Sequence, residues 1–218
     1  FIFFCPILKE EYKIDTTQVI YGPYQNPLTQ PMINFVNFRT QYSPHVNNSE
    51  LCATCHTLFT PYFDDNNQIA GYFSEQTPYI EWKNSNFETS GTECQTCHMP
   101  ATQDSIDIST IPAFHTVKHS PYYKHEFAGG NKMMLRVLKN NIDSLGVTAS
   151  AAQFDSTIAR IDENFISETA LLDIDVIPGS DSIDIKVQTT NLTGHKLPTG
   201  IPFRRMWIHL KVMNANSE

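Results

Sequence analysis

Two short stretches, ELCATCHTL and ECQTCHMP, constrain this chain more than anything else in it. Each is C-x-x-C followed directly by histidine: Cys52, Cys55 and His56 in the first, Cys94, Cys97 and His98 in the second. On a helical turn, positions i and i+3 share a face and i+4 projects beside them. Two thiols held in that way can add to the two vinyl groups of one haem and form thioethers. The adjoining imidazole then meets the iron from the proximal side. The motifs predict two covalently attached haem c groups, with the four cysteines as tethers and His56 and His98 as proximal ligands. Covalent attachment fixes a haem without a large apolar pocket.

Two rival chemistries use the same residue types. A zinc ribbon also pairs two C-x-x-C units, but with about 15–20 residues between them; the gap from Cys55 to Cys94 is roughly twice that. A ribbon also gives no reason for a histidine after both pairs. A thioredoxin-like redox pair belongs at the start of a helix in a βαβ setting, and no such alternation is visible here. Haem attachment is the reading that accounts for both histidines.

Composition agrees with a fold filled by something besides side chains. The chain has 218 residues, enough for one large domain or two small ones, and 40% of them are apolar. Branched aliphatics are sparse over the first 130 residues, where Tyr, Phe, Asn, Thr and Pro dominate. The net charge of −8 and the lack of a basic stripe argue against a nucleic-acid partner. No apolar run reaches the length of a membrane span. The opening FIFFCPIL is apolar but short and is read as a buried N-terminal strand. Its Cys5 is the fifth cysteine and has no evident partner.

Each iron needs a sixth ligand, or an open position if it does chemistry. Six histidines remain: His45, His115, His119, His125, His195 and His209. A lone histidine in a loop-rich chain is ordinarily a solvated surface residue. His125, in YKHEFAGGN, precedes two glycines that let backbone come close to a flat ligand. His195, in NLTGHKLPTG, has the same character. His115 and His119 are four apart, the spacing of one helical face, but Pro112 and Pro121 bracket the segment. His45 precedes the first motif by a few residues and is a distal candidate, including for a haem outside this chain. His209 alternates with Arg205, Trp207 and Lys211 on an outward face and reads as a surface residue.

Residues 1–50 carry turn signals at Gly22-Pro23, Asn26-Pro27 and Pro31 and no long periodic segment. TPYIEWKNS reads as a helix start, with Thr77 capping and Pro78 at the first helical position. NKMMLRVLKNNIDSLG is expected to be one amphipathic helix striped by Met134, Leu135, Leu138, Ile142 and Leu145 and ended by Gly146. A second is expected over about 148–169, with Phe154, Ile158, Ile161 and Phe165 at helical spacing. From residue 171 the period becomes two: LLDIDVI, SIDIKVQTTN and RRMWIHLKV alternate apolar with polar, PGSDS making the first connection. The expected fold class is mixed. A loop-rich α haem-binding region, 1–170, is followed by an incomplete antiparallel β-sandwich-like region, 171–218. Three strands cannot close a sandwich, so the sequence reads as a piece of a longer protein, or as a sheet completed by another chain.

YGPYQNPLTQPM, SELCATCHTLFT, EQTPYIEWKNS, ECQTCHMP, KHEFAGGN and NLTGHKLPTGIPFRRMWIHL occur in that order. Over about residues 20 to 212 they resemble segments of large bacterial multihaem cytochromes c. These are broadly related to the superfamily of hydroxylamine oxidoreductase and pentahaem nitrite reductase. The resemblance implies low-spin haems with two axial histidines, with His125 and His195 as distal ligands. It also implies further haem motifs upstream of YGP, and this sequence has none there. Related nitrite reductases mark their catalytic haem by a lysine in place of the motif histidine; both motifs here end in histidine.

Two functions are then in view. Haems with both axial positions filled pass electrons with little rearrangement, and electron transfer between redox partner proteins, or further haem-bearing segments, is the favoured one. The other is a haem oxidoreductase acting on small nitrogen or sulfur compounds, which needs an open or replaceable position. Hydrolase chemistry finds no G-x-S-x-G and no paired carboxylates. Thioether attachment takes place after export, so a periplasmic or cell-surface location is expected. The acidic balance suits basic partners.

Overall fold

The computed structural model describes residues 16–107 and 118–214; the readings of FIFFCPIL, Cys5 and His115 lie outside them. The described residues open with a small βαβ unit. Strand β1 (Val19–Gly22) pairs in parallel with β2 (Arg39–Tyr42), and helix α1 (Thr29–Val36) lies between them in sequence. Sequence periodicity gives no hint of α1, because its eight residues are too short a run for the apolar positions to show a period. It ends at Asn37, whose φ of 56° is left-handed and whose N–H bonds back to the helix carbonyls.

Both cysteine motifs are helical, on α2 (Ser49–His56) and α5 (Cys94–His98). Between them run the hairpin β3 (Leu58–Phe63) and β4 (Ile69–Gln76), then α3 (Pro78–Lys83) and α4 (Asn86–Ser90). Helix α3 starts where expected, with Thr77 as N-cap and Pro78 in the first turn, but the Thr77 hydroxyl does not cap the backbone. It donates instead to Glu81 at 3.3 Å. The short pairings of β5 (Ala101–Thr102) with β8 (Tyr122–Tyr123), and of β6 (Ile106–Asp107) with β7 (Lys118–His119), follow α5.

The expected helix over NKMMLRVLKNNIDSLG is broken. It forms α6 (Lys132–Asn140) and α7 (Ile142–Leu145), interrupted at Asn141 and ended by Gly146 at φ 63°. Helix α8 (Ala151–Ser167) is opened by a capping box between Ser150 and Gln153. Phe154 and Ile161 are buried as their spacing predicts, whereas Phe165 is exposed. Salt bridges from Lys132 to Asp162 and from Lys139 to Asp155 tie α6 to α8.

Strands β9 (Ala170–Pro178) and β10 (Ile183–Asn191) form the antiparallel hairpin that the alternation predicts. Their register sets Ile174 opposite Val187 and Val176 opposite Ile185, while Asp173 faces Gln188 and Asp175 faces Lys186. One face is thus apolar, yet Leu172, Ile174 and Val176 are exposed. The third expected strand, RRMWIHLKV, forms no ladder; its alternation lacks a neighbouring edge to bond to among the described residues. No helix among the described residues is long and apolar enough to cross a membrane.

The described core is small. Ala53 of α2 packs with Tyr79 and Trp82 of α3, and Ile80, Phe87 and Cys94 pack against that cluster. Tyr79 and Trp82 stack at 5.6 Å between ring centroids, and Trp82 Nε1 donates to the Thr92 carbonyl at 2.8 Å. Trp82 therefore supports both motif helices, one through packing and the other through its hydrogen bond just before Cys94. Trp82→Ala is expected to cost about 3–5 kcal/mol, read as a lower midpoint in denaturant unfolding.

Candidate haem-attachment and axial-ligand site

The two motif helices meet at their N-termini. Ser49, at the start of α2, is fully buried (0% exposed). Its N–H and its hydroxyl both donate to Glu93 Oε2, at 2.7 and 2.6 Å, and its Oγ accepts from the Cys94 N–H at 2.9 Å. Gln95 adds donations from Nε2 to the Val46 and Asn48 carbonyls at 3.1 and 2.8 Å. These bonds span more than 40 residues of sequence and set the first cysteine of each motif beside the other. Nothing in the sequence singled out Ser49 or Glu93 as partners. A serine before one motif and a glutamate before the other are unremarkable until the helices are in contact.

All four motif thiols are free. The Cys52 thiol donates to Cys94 sulfur, and this bond, helped by Ser49, lowers the Cys94 thiol to about 7 against the opposing effect of burial. The same bond, with burial, raises Cys52. Burial and the nearby Glu168 raise Cys97. A lowered thiol favours the thiolate, the form that adds to carbon electrophiles. No group of three or more His, Cys, Asp or Glu among the described residues is arranged to hold a metal ion by itself, as a zinc ribbon would require.

His98 and His195 come together although 97 residues separate them in sequence. Their ring centroids lie 6.4 Å apart with 27° between the planes. Two imidazoles that bind one metal from opposite sides, each nitrogen at about 2 Å, place their centroids about 6 Å apart. The observed pair fits that spacing. Each ring also has one nitrogen engaged by protein. His195 Nδ1 lies 3.2 Å from Thr193 Oγ1 and 3.4 Å from the Lys196 carbonyl oxygen. His98 hydrogen-bonds the backbone of Ala128. A metal-binding histidine characteristically has its second nitrogen held in this way, which fixes tautomer and ring orientation. Burial, with His195 and His56 nearby, depresses the His98 pKa and favours the neutral form a metal needs. The residues present therefore fit a covalently tethered haem with two axial imidazoles on the Cys94–His98 side.

The other histidines are placed differently. His56 ends α2 and is exposed. His45 is exposed, with Nδ1 2.6 Å from Ser43 Oγ and its ring edge-on to Tyr21. His119 stacks on Tyr24 at 4.0 Å and 10°. His125 is exposed and stacks on Phe127 at 5.8 Å and 6°. None of these three makes a ring contact with His56 among the described residues. His209 is exposed, as expected of an outward-facing residue.

No family model matches the chain. No curated protein matches it. Among solved structures, it is similar to the crystal structure of a penta-heme cytochrome c552 from Thermochromatium tepidum, at 16% identity and a TM-score of 0.42. The likeness covers 84% of this chain and 37% of that one, so the chain spans well under half of that protein's length.

The buried Ser49 hydroxyl has two partners in the junction between the motif helices; its removal leaves the Cys94 N–H without that acceptor and Glu93 Oε2 with only the Ser49 N–H. Ser49→Ala is expected to lower stability by about 1–3 kcal/mol, measured as a lower thermal midpoint of unfolding.

Proposed function

We propose that this protein is a multihaem c-type cytochrome that carries electrons between redox partners through covalently attached bis-histidine haems. The observation that carries this reading is the opposition of His98 and His195 at 6.4 Å, immediately beside the Cys94–Cys97 thiols. Cys94 and Cys97 would tether one haem, with His98 proximal and His195 distal. Cys52 and Cys55 would tether a second, with His56 proximal. His125, His45, His115 and His119 are the candidates for that second group and for haems borne on other segments. When bound, such a group supplies one-electron chemistry at a potential set by its axial ligands, burial and hydrogen bonding.

The chain's own residues perform the rest. His98 and His195 would hold such a group from both sides, leaving no position for small substrates. Ala128 and Thr193 hold the rings in orientation. The junction of Ser49 with Glu93 and the Cys94 N–H brings the two tethering sites together, so the groups they would hold are close neighbours, as electron passage between them requires. We further propose the division into a dihaem region, 1–170, and the start of a sandwich domain, 171–218, whose apolar hairpin face is covered by a further segment or chain. Export to the periplasm or cell surface follows from thioether chemistry, and the net charge of −8 favours basic redox partners.

The alternative is an oxidoreductase for small nitrogen or sulfur compounds. It needs one iron with a replaceable position, and the exposed His56 marks where that iron would sit.

A pyridine haemochrome assay with intact-mass analysis is expected to give two thioether-linked haems per chain, and one after Cys94 and Cys97 are both replaced by alanine. His195→Ala is expected to retain both haems while one becomes high-spin in optical and EPR spectra. An unchanged spectrum would return His195 to an ordinary loop residue. Stoichiometric carbon monoxide binding to the reduced wild type, or turnover of nitrite or hydroxylamine, would favour the enzyme reading.

A further inference from the structure

The loop that presents His195 has no secondary structure of its own and must be held from outside. The strongest hold on it is a single carboxylate on α3. Glu81 Oε2 accepts from the Lys196 N–H and the Thr199 hydroxyl, both at 2.9 Å. Its other oxygen, Oε1, accepts from the Gly200 N–H at 3.0 Å and the Thr77 hydroxyl at 3.3 Å. Three of these four donors belong to residues 196–200, more than 110 positions away in sequence. The Thr77 N–H donates to the Gly200 carbonyl at 3.1 Å and closes the same junction through backbone.

Steric fit reinforces it. Gly200 has a φ of 61°, and a Cβ there would lie 2.5 Å from Pro78 Cγ. A Cβ on Gly194 would lie 2.4 Å from Phe87 Cδ2. Both glycines are thus required by close approach to α3 and α4, and His195 sits between the two contacts. On the strand side, its carbonyl accepts from Asn191 Nδ2 at 2.7 Å and Thr193 Oγ1 at 2.8 Å. The residue before the Lys196 N–H is therefore fixed from both directions, by β10 on one side and by Glu81 on the other.

We propose that Glu81 is the positioning residue that holds the 194–200 loop on α3 and so keeps His195 opposite His98 as an axial ligand. The inference rests on the bis-histidine reading of that pair. Glu81 touches neither ring; it acts through the Lys196 N–H, one bond along the chain from His195. A carboxylate is required because both oxygens must accept. Glutamine at this position would keep the shape but leave one acceptor oxygen, and its NH2 would face two donors. That mismatch loosens the loop without removing the ligand.

The test compares haem-loaded wild type, Glu81→Gln and His195→Ala, with haem attachment verified by mass. Glu81→Gln is expected to show a partial high-spin population. Carbon monoxide is expected to bind its reduced form at least about ten-fold faster than wild type, since loss of hydrogen bonds to a charged acceptor is worth that much or more. Added imidazole is expected to restore the low-spin spectrum, which it would not do for a globally unfolded protein. Should Glu81→Gln fail to accumulate, Thr199→Val removes one donor, keeps the charge, and is expected to shift the same signals by less. Glu81→Gln or Thr199→Val with wild-type spectra and kinetics, beside a high-spin His195→Ala, would overturn the positioning role and leave His195 as a ligand. If His195→Ala is itself unchanged, the ligation reading fails, and the positioning role fails with it.

Discussion

The Glu93 carboxylate reaches from just before the second cysteine motif to the first residue of α2, where the buried Ser49 offers it both an N–H and a hydroxyl. The same hydroxyl accepts from the Cys94 N–H, so two helix N-termini share one hydrogen-bonded junction. Helix N-termini present unsatisfied N–H groups and a partial positive charge, and a carboxylate between them answers both needs. The placement of α5 beside α2 depends on this junction and on the Tyr79–Trp82 stack behind it. Because Cys94 lies inside it, the sulfurs of the two motifs become neighbours.

A second carboxylate does comparable work at the other end of the site. Glu81 gathers donors from the loop that carries His195, while Glu93 gathers donors from the helix that carries Cys52. The described apolar core consists of Ala53, Tyr79, Trp82, Ala128, Phe154 and Ile161, too little to orient long loops by packing alone. Directional hydrogen bonds to ionised acceptors are stronger than neutral ones and supply that orientation.

Local signals in the sequence translated well into local structure. The two motifs form helical turns, Thr77-Pro78 opens α3, Ser150 and Gln153 cap α8, and the alternation after residue 171 makes a hairpin. Two expectations met a competing effect, and one helix gave no signal. Asn141 interrupts the helix expected over 131–146, a residue whose side chain bonds readily to backbone and here donates to the Val137 carbonyl. RRMWIHLKV alternates like a strand, but a strand also needs an edge to pair with. α1 is too short for its apolar residues to show a period.

The sequence by itself determined which residues of each C-x-x-C-H stretch lie together, because it is a contiguous pattern whose geometry follows from a turn of helix. It also marked His195 as unusual, since glycines and prolines around a histidine are visible without a fold. Only the tertiary structure decided that His195 faces His98 rather than His56, that Cys52 touches Cys94, and that Glu81 and Glu93 hold these pairs in place. Those relations join residues 42 to 119 positions apart. No local propensity encodes a contact at that separation; it arises only when hydrogen-bond acceptors on one helix meet the donors that the rest of the chain brings to them.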